Sequence, residues 1–126
     1  MATKFYLCTM CGNVIFKAVD SGVDVECCGE KMQELIPSME ETMKEKHLPV
    51  VECEIDGPVK VKVGSVPHPM TPEHHISFIY LETEHGGQVK FLMPEEVPEA
   101  VFKGCKDKPV AVYEYCNIHG LWKTEL

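Results

Sequence analysis

The sequence predicts a mainly β protein, in which a small metal-stapled N-terminal unit precedes an antiparallel β-sandwich of about seven short strands. Three observations support this prediction. Four of the seven cysteines fall near the N-terminus. Alternating apolar and polar residues dominate the rest of the chain, as is typical of strands with one buried face. Turn-forming residues interrupt that alternation at short intervals. We place the domain boundary near Pro37-Ser38, which predicts domains at 1–37 and 38–126.

The N-terminal unit is too short to be held together by an apolar core alone, and four cysteines offer a substitute. Cys8 and Cys11 are separated by two residues, a spacing that lets both sulfurs bind one metal ion. Cys27 and Cys28 are adjacent, and adjacent side chains of an extended chain point to opposite faces. We therefore expect a sharp backbone bend at this pair. The spacing predicts a mononuclear tetrathiolate site, and it leaves zinc and iron open as the metal.

The second unit is predicted to begin with a short helix and to continue as strands. Ser38 and Glu41 fit a capping box, which predicts a helical turn after Ser38. Val51, Cys53 and Ile55 alternate with acidic residues, so we expect Cys53 to be a small buried hydrophobe. We place a hairpin turn at Gly86-Gly87. The predicted strands are 51–55, 59–63, 75–83, 89–93, 100–105, 110–116 and 121–124.

Composition and charge exclude several classes of function. Twenty acidic residues outnumber twelve basic ones, which gives a formal charge of −8. We therefore expect no binding to nucleic acid or to anionic membranes, because both need a basic surface. No apolar run approaches the roughly 18–20 residues of a transmembrane helix, and no signal peptide is evident. We expect a cytoplasmic protein, whose clustered cysteines bind metal rather than form disulfides.

A second candidate site is spread over the second unit, where all six histidines occur. Most of them lie near proline or glycine, at the predicted loops and strand ends where a β scaffold presents ligands. Cys116 and His119 form another pair separated by two residues. Imidazole and thiolate donors favour a transition metal over calcium or magnesium. The candidate ligands are His47, His68, His74, Cys116 and His119.

These motifs in combination resemble the desulfoferrodoxin family, the two-iron superoxide reductases. The resemblance covers nearly the whole chain and is carried by CTMCG, CCGE, EKH, HPM followed by EHHI, and YCNIHG followed by Trp122. It implies a desulforedoxin-like, rubredoxin-like N-terminal domain and an immunoglobulin-like catalytic β-sandwich. It also implies two mononuclear iron ions per chain. The first would be held by Cys8, Cys11, Cys27 and Cys28, and the second by four planar histidines (His47, His68, His74, His119) and axial Cys116.

The resemblance further implies that the protein reduces superoxide to hydrogen peroxide for oxidative-stress defence. The electron would come from a small redox donor such as rubredoxin, and the protein would be a homodimer. Lys46 would attract the anion, and Glu45 matches a family glutamate that can bind the oxidised iron. We assign no role to Cys53, Cys105, His75 or His85.

Three alternatives remain open from the residues alone. The chain could be a non-enzymatic electron carrier that works through the tetrathiolate centre. It could be a zinc-stapled structural module, which would be colourless. It could also be a superoxide dismutase, which would evolve oxygen and need no electron donor.

Overall fold

The computed structural model describes residues 2–104 and 106–126 and is mainly β, as predicted. The chain forms two compact units, Met1–Ile36 and Pro37–Leu126. Cys105, which we left without a role, lies outside the described residues. Neither of the two short helical segments among the described residues is long and apolar enough to cross a membrane.

The first unit consists of very short strands around a small apolar centre. Phe5 and Met32 are buried there, and the rings of Phe5 and Phe16 pack edge to face. Burial of so small a core contributes little stabilising free energy, so the unit needs further cross-linking through its cysteines. The strands are β1 (Phe5–Leu7), β2 (Val14–Phe16), β3 (Glu26–Cys27), β4 (Glu30–Lys31) and β5 (Gln33–Leu35). They form an antiparallel sheet in the order β2-β1-β5 and a separate β3-β4 pair.

The second unit is an antiparallel β-sandwich preceded by a helical segment. A 3₁₀ turn (Glu41–Met43) runs into the one-turn helix α1 (Lys44–His47). One sheet has the order β10-β7-β6 and the other has the order β12-β11-β8-β9. The strands are β6 (Pro49–Cys53), β7 (Val59–Val63), β8 (Ile76–Thr83), β9 (Gly86–Phe91), β10 (Glu99–Phe102), β11 (Pro109–Cys116) and β12 (Gly120–Glu125).

In β7 and β10 the core between the two sheets follows a period-two pattern of buried and exposed residues. Val59, Val61 and Val63 point inward from β7, whereas Lys60 and Lys62 point to solvent. Inward residues of both sheets join one apolar cluster, which ends at Cys116 on the last position of β11. At about 25 cal/mol per Å² of buried apolar surface, this cluster supplies the main stabilisation of the unit. Cys116, one of the candidate ligands, is thus part of this core.

Three local predictions need correction, and the first two concern the segment from Ser38 to Ile55. The segment after Ser38 is helical as predicted, but Glu40 is the residue that accepts the capping hydrogen bond, from the backbone N–H of Thr42. The prediction that Cys53 is buried was wrong. β6 ends at Cys53, which is exposed, and the chain turns away at Asp56 with a positive φ of 54°. Ile55 is consequently 97% exposed, because it lies beyond the sheet.

The predicted hairpin turn at Gly86-Gly87 lies two residues too late. Thr83 pairs with Gly86, so the loop is Glu84-His85 and both glycines belong to β9. Within β9, Gly87 is needed for close packing rather than for a turn. A Cβ atom at Gly87 would meet the hydroxyl oxygen of Tyr80, whereas one at Gly86 would meet only the Thr83 hydroxyl at 3.9 Å.

Gly87→Ala should therefore destabilise the sandwich, and Gly86→Ala serves as its matched control. We expect Gly87→Ala to lower the free energy of unfolding by about 1–3 kcal/mol, the usual cost of overpacking. Gly86→Ala should be neutral or slightly stabilising, because the added methyl finds open space and restricts the unfolded chain. Urea unfolding of both variants measures the difference, and equal stabilities would contradict this reading of Gly87.

Candidate metal centres

The four N-terminal cysteines converge on one point. Cys8, Cys11, Cys27 and Cys28 place their sulfur atoms within 4.8 Å of one another. The Sγ atoms of Cys11 and Cys27 are 3.7 Å apart, and those of Cys27 and Cys28 are 4.0 Å apart. We call these four residues the tetracysteine group. All four are free thiols, so no disulfide competes with a metal for them.

The backbone explains how an adjacent pair of cysteines can share one site. Cys28 has φ of +55°, in the left-handed region that non-glycine residues seldom adopt, and Gly29 follows with φ of +77°. This bend turns the Cys28 sulfur to the same side as that of Cys27. On the other side, the Cys8 N–H donates to the Asn13 carbonyl and the Gly12 N–H donates to the Cys8 carbonyl. The expected sharp bend at the adjacent pair is confirmed.

The electrostatics of the tetracysteine group fit a bound cation. Hydrogen bonding led by the Cys11 backbone N–H lowers the pKa of Cys8 to about 7. Hydrogen bonding among the sulfurs, with Cys11 as the main partner, raises the pKa of Cys28 to about 12. Four neighbouring thiols therefore cannot all ionise together without a positive charge between them. A metal ion supplies that charge and makes each thiolate a ligand.

The second group assembles at one end of the sandwich. His47 ends α1, His68 and His74 lie in the β7–β8 loop, and Cys116 and His119 flank the turn between β11 and β12. Their ligand atoms all lie within 4.8 Å of one another. We call these five residues the histidine-cysteine group. Three separate chain segments thus contribute, and the sheet framework fixes their spacing.

The four imidazoles of the histidine-cysteine group form a closed ring of contacts. Centroid distances between successive neighbours are 4.6 Å for His47–His68, 4.7 Å for His68–His74, 5.0 Å for His74–His119 and 4.8 Å for His119–His47. The interplanar angles of these pairs run from 66° to 82°, so each ring presents an edge to the next. Nitrogen atoms therefore face a common centre.

Backbone carbonyls determine which nitrogen faces that centre. His47 Nδ1 lies 3.0 Å from the Met43 carbonyl, and His68 Nδ1 is hydrogen bonded to the Pro69 carbonyl at 2.6 Å. Each Nδ1–H therefore donates outward, which leaves the Nε2 lone pair free for a metal. The two Nε2 atoms are 3.0 Å apart. His119 differs from these two histidines because its Nδ1 faces the centre, 3.1 Å from His47 Nε2.

Burial keeps the histidines in the ligating form. Desolvation lowers the pKa of His68 to about 4 and lowers those of His47 and His74 below their ordinary value. These imidazoles are neutral at pH 7, as metal binding requires. His74 Nε2 is buried and has no hydrogen-bond partner among the described residues. Such an orphaned acceptor fits a metal ion bound at this point.

Cys116 is the fully buried member of the group. Its sulfur lies 3.8 Å from His119 Nδ1 and accepts a hydrogen bond from the His119 backbone N–H at 3.4 Å. Burial raises the pKa of the free thiol, whereas the N–H groups of His119 and Ile118 lower it. These N–H groups stabilise negative charge on sulfur, as a bound thiolate needs.

A cavity of about 270 Å³ opens over the histidine-cysteine group. Its walls include all four histidines together with Glu45 and Lys46, which belong to the helical turn that ends at His47. The five donors thus have one side that small molecules can reach. A small anion that entered here would meet one positive and one negative side chain at the rim.

Two residues within the quoted motifs make supporting contacts that the sequence did not specify. Asn117 bridges two ligand segments, because its Nδ2 donates to the Glu73 carbonyl at 2.9 Å and its Oδ1 accepts from the His75 N–H at 2.9 Å. Trp122 stacks on His47 with a centroid distance of 4.9 Å and an angle of 16°. Trp122 is fully buried on β12, and the tertiary structure brings it against His47.

The two histidines that we excluded lie outside the histidine-cysteine group. His75 directs Nδ1 to the Thr71 carbonyl at 3.1 Å and is not among the five clustered donors. His85 is on the surface, where its Nδ1 lies 2.9 Å from an Asp107 carboxylate oxygen. That carboxylate raises the pKa of His85. Both rings therefore have partners of their own, away from the clustered donors.

The β-sandwich carries five imidazole and thiolate donors, and the small N-terminal unit carries four thiols. These two donor groups define a class of metalloprotein with two separate mononuclear sites. Residues 39–125 match the desulfoferrodoxin family. A desulfoferrodoxin of Desulfarculus baarsii is 44% identical over 123 residues, which cover 97% of this chain and 95% of that protein. The chain belongs to the desulfoferrodoxin family, which confirms the resemblance carried by the motifs.

Two further comparisons concern proteins named superoxide reductase. One from Pyrococcus horikoshii is 44% identical over 99 residues, which cover 65% of this chain and 86% of that protein. The crystal structure of the superoxide reductase from Treponema pallidum matches with a TM-score of 0.81 at 37% identity and covers 98% of both chains. The structural match therefore extends over both units and both ligand groups of this chain.

Asn117→Ala should weaken metal binding at the histidine-cysteine group alone. The change removes two hydrogen bonds that hold the His74 and His119 segments together, and loss of such support typically lowers metal affinity about tenfold or more. Competition with a chelator measures this affinity. Asn13→Ala is the matched control, because Asn13 Nδ2 contacts Cys27 Sγ at 3.7 Å in the tetracysteine group. Equal effects of both variants on the histidine-cysteine group would contradict the role given to Asn117.

Proposed function

We propose that this chain is a superoxide reductase that works at the histidine-cysteine group. The observation that carries the proposal is a set of five convergent donors with one side open to a cavity. A purely structural metal site has its coordination closed by protein ligands. Family membership and the match to proteins named superoxide reductase support the same reaction.

Iron fits both donor groups. Four thiolates suit either iron or zinc, and an imidazole-rich group with one thiolate suits a transition metal. We propose Cys8, Cys11, Cys27 and Cys28 as ligands of one iron, and His47, His68, His74, His119 and Cys116 as ligands of the other. Iron at the second group would supply the single electron for the reaction O₂•⁻ + e⁻ + 2H⁺ → H₂O₂.

The residues around the cavity have distinct tasks in this reaction. Lys46 places a flexible positive charge at the rim of a protein with a net charge of −8, so it attracts the superoxide anion to the open side. Glu45 adds a carboxylate at the same rim, which we propose as a ligand for the oxidised site between turnovers. The opening of the cavity gives water access to the site, and water can deliver the two protons.

The buried residues hold the donors in place. The Met43 and Pro69 carbonyls fix the imidazoles of His47 and His68, and Trp122 stacks on His47. Backbone N–H groups stabilise the negative sulfur of Cys116. Such prearranged support keeps the geometry of the group constant while its charge changes.

The alternative of an electron carrier that uses only the tetracysteine group is less favoured. An electron carrier of this kind would not explain the open cavity or the buried His74 Nε2 that has no partner among the described residues. In our proposal the tetracysteine group is an electron-transfer site with no position for substrate. We also propose a small redox donor such as rubredoxin, a homodimer, a cytoplasmic location and a role in oxidative-stress defence, as the resemblance implies.

Exchange of one ligand in each group tests the assignment of the reaction. His119→Ala should abolish the reaction of the reduced protein with superoxide, because it removes a donor from the open site. Cys28→Ser should alter the visible absorption of the tetracysteine group and leave that reaction nearly unchanged. Pulse radiolysis measures the rate, and peroxide and oxygen assays identify the product. Oxygen evolution without an electron donor would indicate a dismutase, and undiminished reduction by iron-loaded His119→Ala would place the active site elsewhere.

Lys46→Ala should slow the encounter with superoxide without changing the metal site. We expect a decrease in the second-order rate constant of about tenfold at low ionic strength, together with a flatter salt dependence. The visible spectrum should remain close to that of the parent. Glu45→Ala is the matched neighbour, and it should alter the oxidised spectrum with little effect on the encounter rate. A Lys46→Ala protein with the parent rate and salt slope would show that Lys46 is an ordinary surface lysine.

A further inference from the structure

The segment that carries Glu45 and Lys46 cannot keep its conformation unaided. α1 is a single turn of four residues, and isolated helices of this length are unstable in water. Its preceding residue, Met43, makes no side-chain capping hydrogen bond. The position of Lys46 above the cavity therefore depends on contacts from elsewhere in the chain.

Trp122 stacks on His47 at the end of α1, and further contacts come from the turn that follows β7. The Val66 backbone N–H donates to the Glu45 carbonyl at 3.2 Å, and the Ser65 hydroxyl donates to the same carbonyl at 3.2 Å. One carbonyl of α1 thus accepts two hydrogen bonds from a segment 20 residues away in sequence. We call residues 64–66 the anchor turn.

Gly64 lets the anchor turn approach α1 closely. It is buried and has φ of +79°, a conformation that L side chains rarely adopt. A Cβ atom built at Gly64 would lie 2.6 Å from the Lys46 carbonyl oxygen and 2.6 Å from the Val66 carbonyl oxygen. Both obstacles are backbone atoms, so no rotation of a side chain could relieve the overlap. The absence of a side chain at Gly64 is therefore a condition for the present position of Lys46.

We propose that Gly64 and Ser65 are positioning residues that set the location of the Lys46 charge at the rim of the cavity. The proposal rests on the proposed function, because it concerns how the anion is attracted. The same turn leads directly to His68, whose Nε2 is 3.0 Å from that of His47. The anchor turn therefore joins the chain segment of one ligand to that of another, and Lys46 is held relative to both.

Alanine variants of the anchor turn separate this role from general strain. Gly64→Ala adds the obstructed methyl group, whereas Gly22→Ala is the matched control. Gly22 has φ of +85° and nothing within 4 Å of its Cβ position, so its alanine variant has the backbone strain without the overlap. Ser65→Ala removes one hydrogen bond to Glu45 and keeps the glycine, and Ser65→Thr retains the hydroxyl.

Each variant is made in the parent and in Lys46→Ala, and the iron-loaded proteins are compared by pulse radiolysis over a range of ionic strength. In the parent background we expect Gly64→Ala to lower the low-salt rate constant about fivefold and to flatten its salt dependence. In the Lys46→Ala background it should have almost no further effect, because the misplaced charge is already absent. Ser65→Ala should show the same pattern with a decrease of about twofold, and Ser65→Thr should restore the rate.

Hydrogen exchange of the peptide that spans residues 41–48 gives a readout that does not involve superoxide. Gly64→Ala should accelerate its exchange, whereas Gly22→Ala should not. The proposal is overturned if Gly64→Ala lowers the rate by equal factors in both backgrounds, if Gly22→Ala reproduces its effects, or if exchange is unchanged. If Gly64→Ala does not retain iron, the Ser65 variants decide by the same criteria. A parent protein that forms no peroxide from superoxide would refute the proposed function itself.

Discussion

The structure depends on the confinement of five potential metal donors in one small volume. Five ligand atoms of the histidine-cysteine group lie within 4.8 Å of one another, and His74 Nε2 is buried without a partner among the described residues. Lone pairs held so close repel one another, and only a proton or a metal cation between them makes the arrangement favourable. The sandwich core, whose apolar cluster ends at Cys116, supplies the stabilisation that offsets this repulsion in the absence of metal. Cys116 connects the histidine-cysteine group to this core.

Much of this arrangement could be predicted from the chain, because it is encoded by local spacing. Cysteine pairs predicted the tetracysteine group, and the adjacency of Cys27 and Cys28 required the bend that Cys28 makes with its positive φ. Period-two alternation predicted the strands whose two faces differ, as in β7. It failed at Cys53, where the apolar pattern continues but the strand does not. Alternation reports on side-chain polarity, whereas strand ends are determined by turns such as the one at Asp56.

The supporting residues could not be predicted, because their roles arise only from tertiary contacts. Asn117 acts between segments more than 40 residues apart in sequence, since it bonds to both Glu73 and His75. Gly64 likewise resembles an ordinary turn glycine after a strand, and its closeness to the Lys46 carbonyl appears only when the segments are assembled. Ligand types can be inferred from chemistry, but the groups that orient ligands are mostly backbone atoms, which every residue possesses.

The position of the Lys46 charge depends on the position of the α1 backbone, and both affect how the anion is attracted. A protein with a net charge of −8 repels anions at long range, and salt screens exposed charges over about 8 Å. Only a positive charge held close to the open side can offset that repulsion. A lysine side chain is flexible, so its average position is governed by the backbone from which it extends. The anchor turn holds that backbone through two hydrogen bonds to the Glu45 carbonyl, and Gly64 leaves room for the Lys46 carbonyl beside it. The flexible Lys46 side chain, extending from a backbone that is held in place, can attract an anion without closing the cavity that the anion must enter.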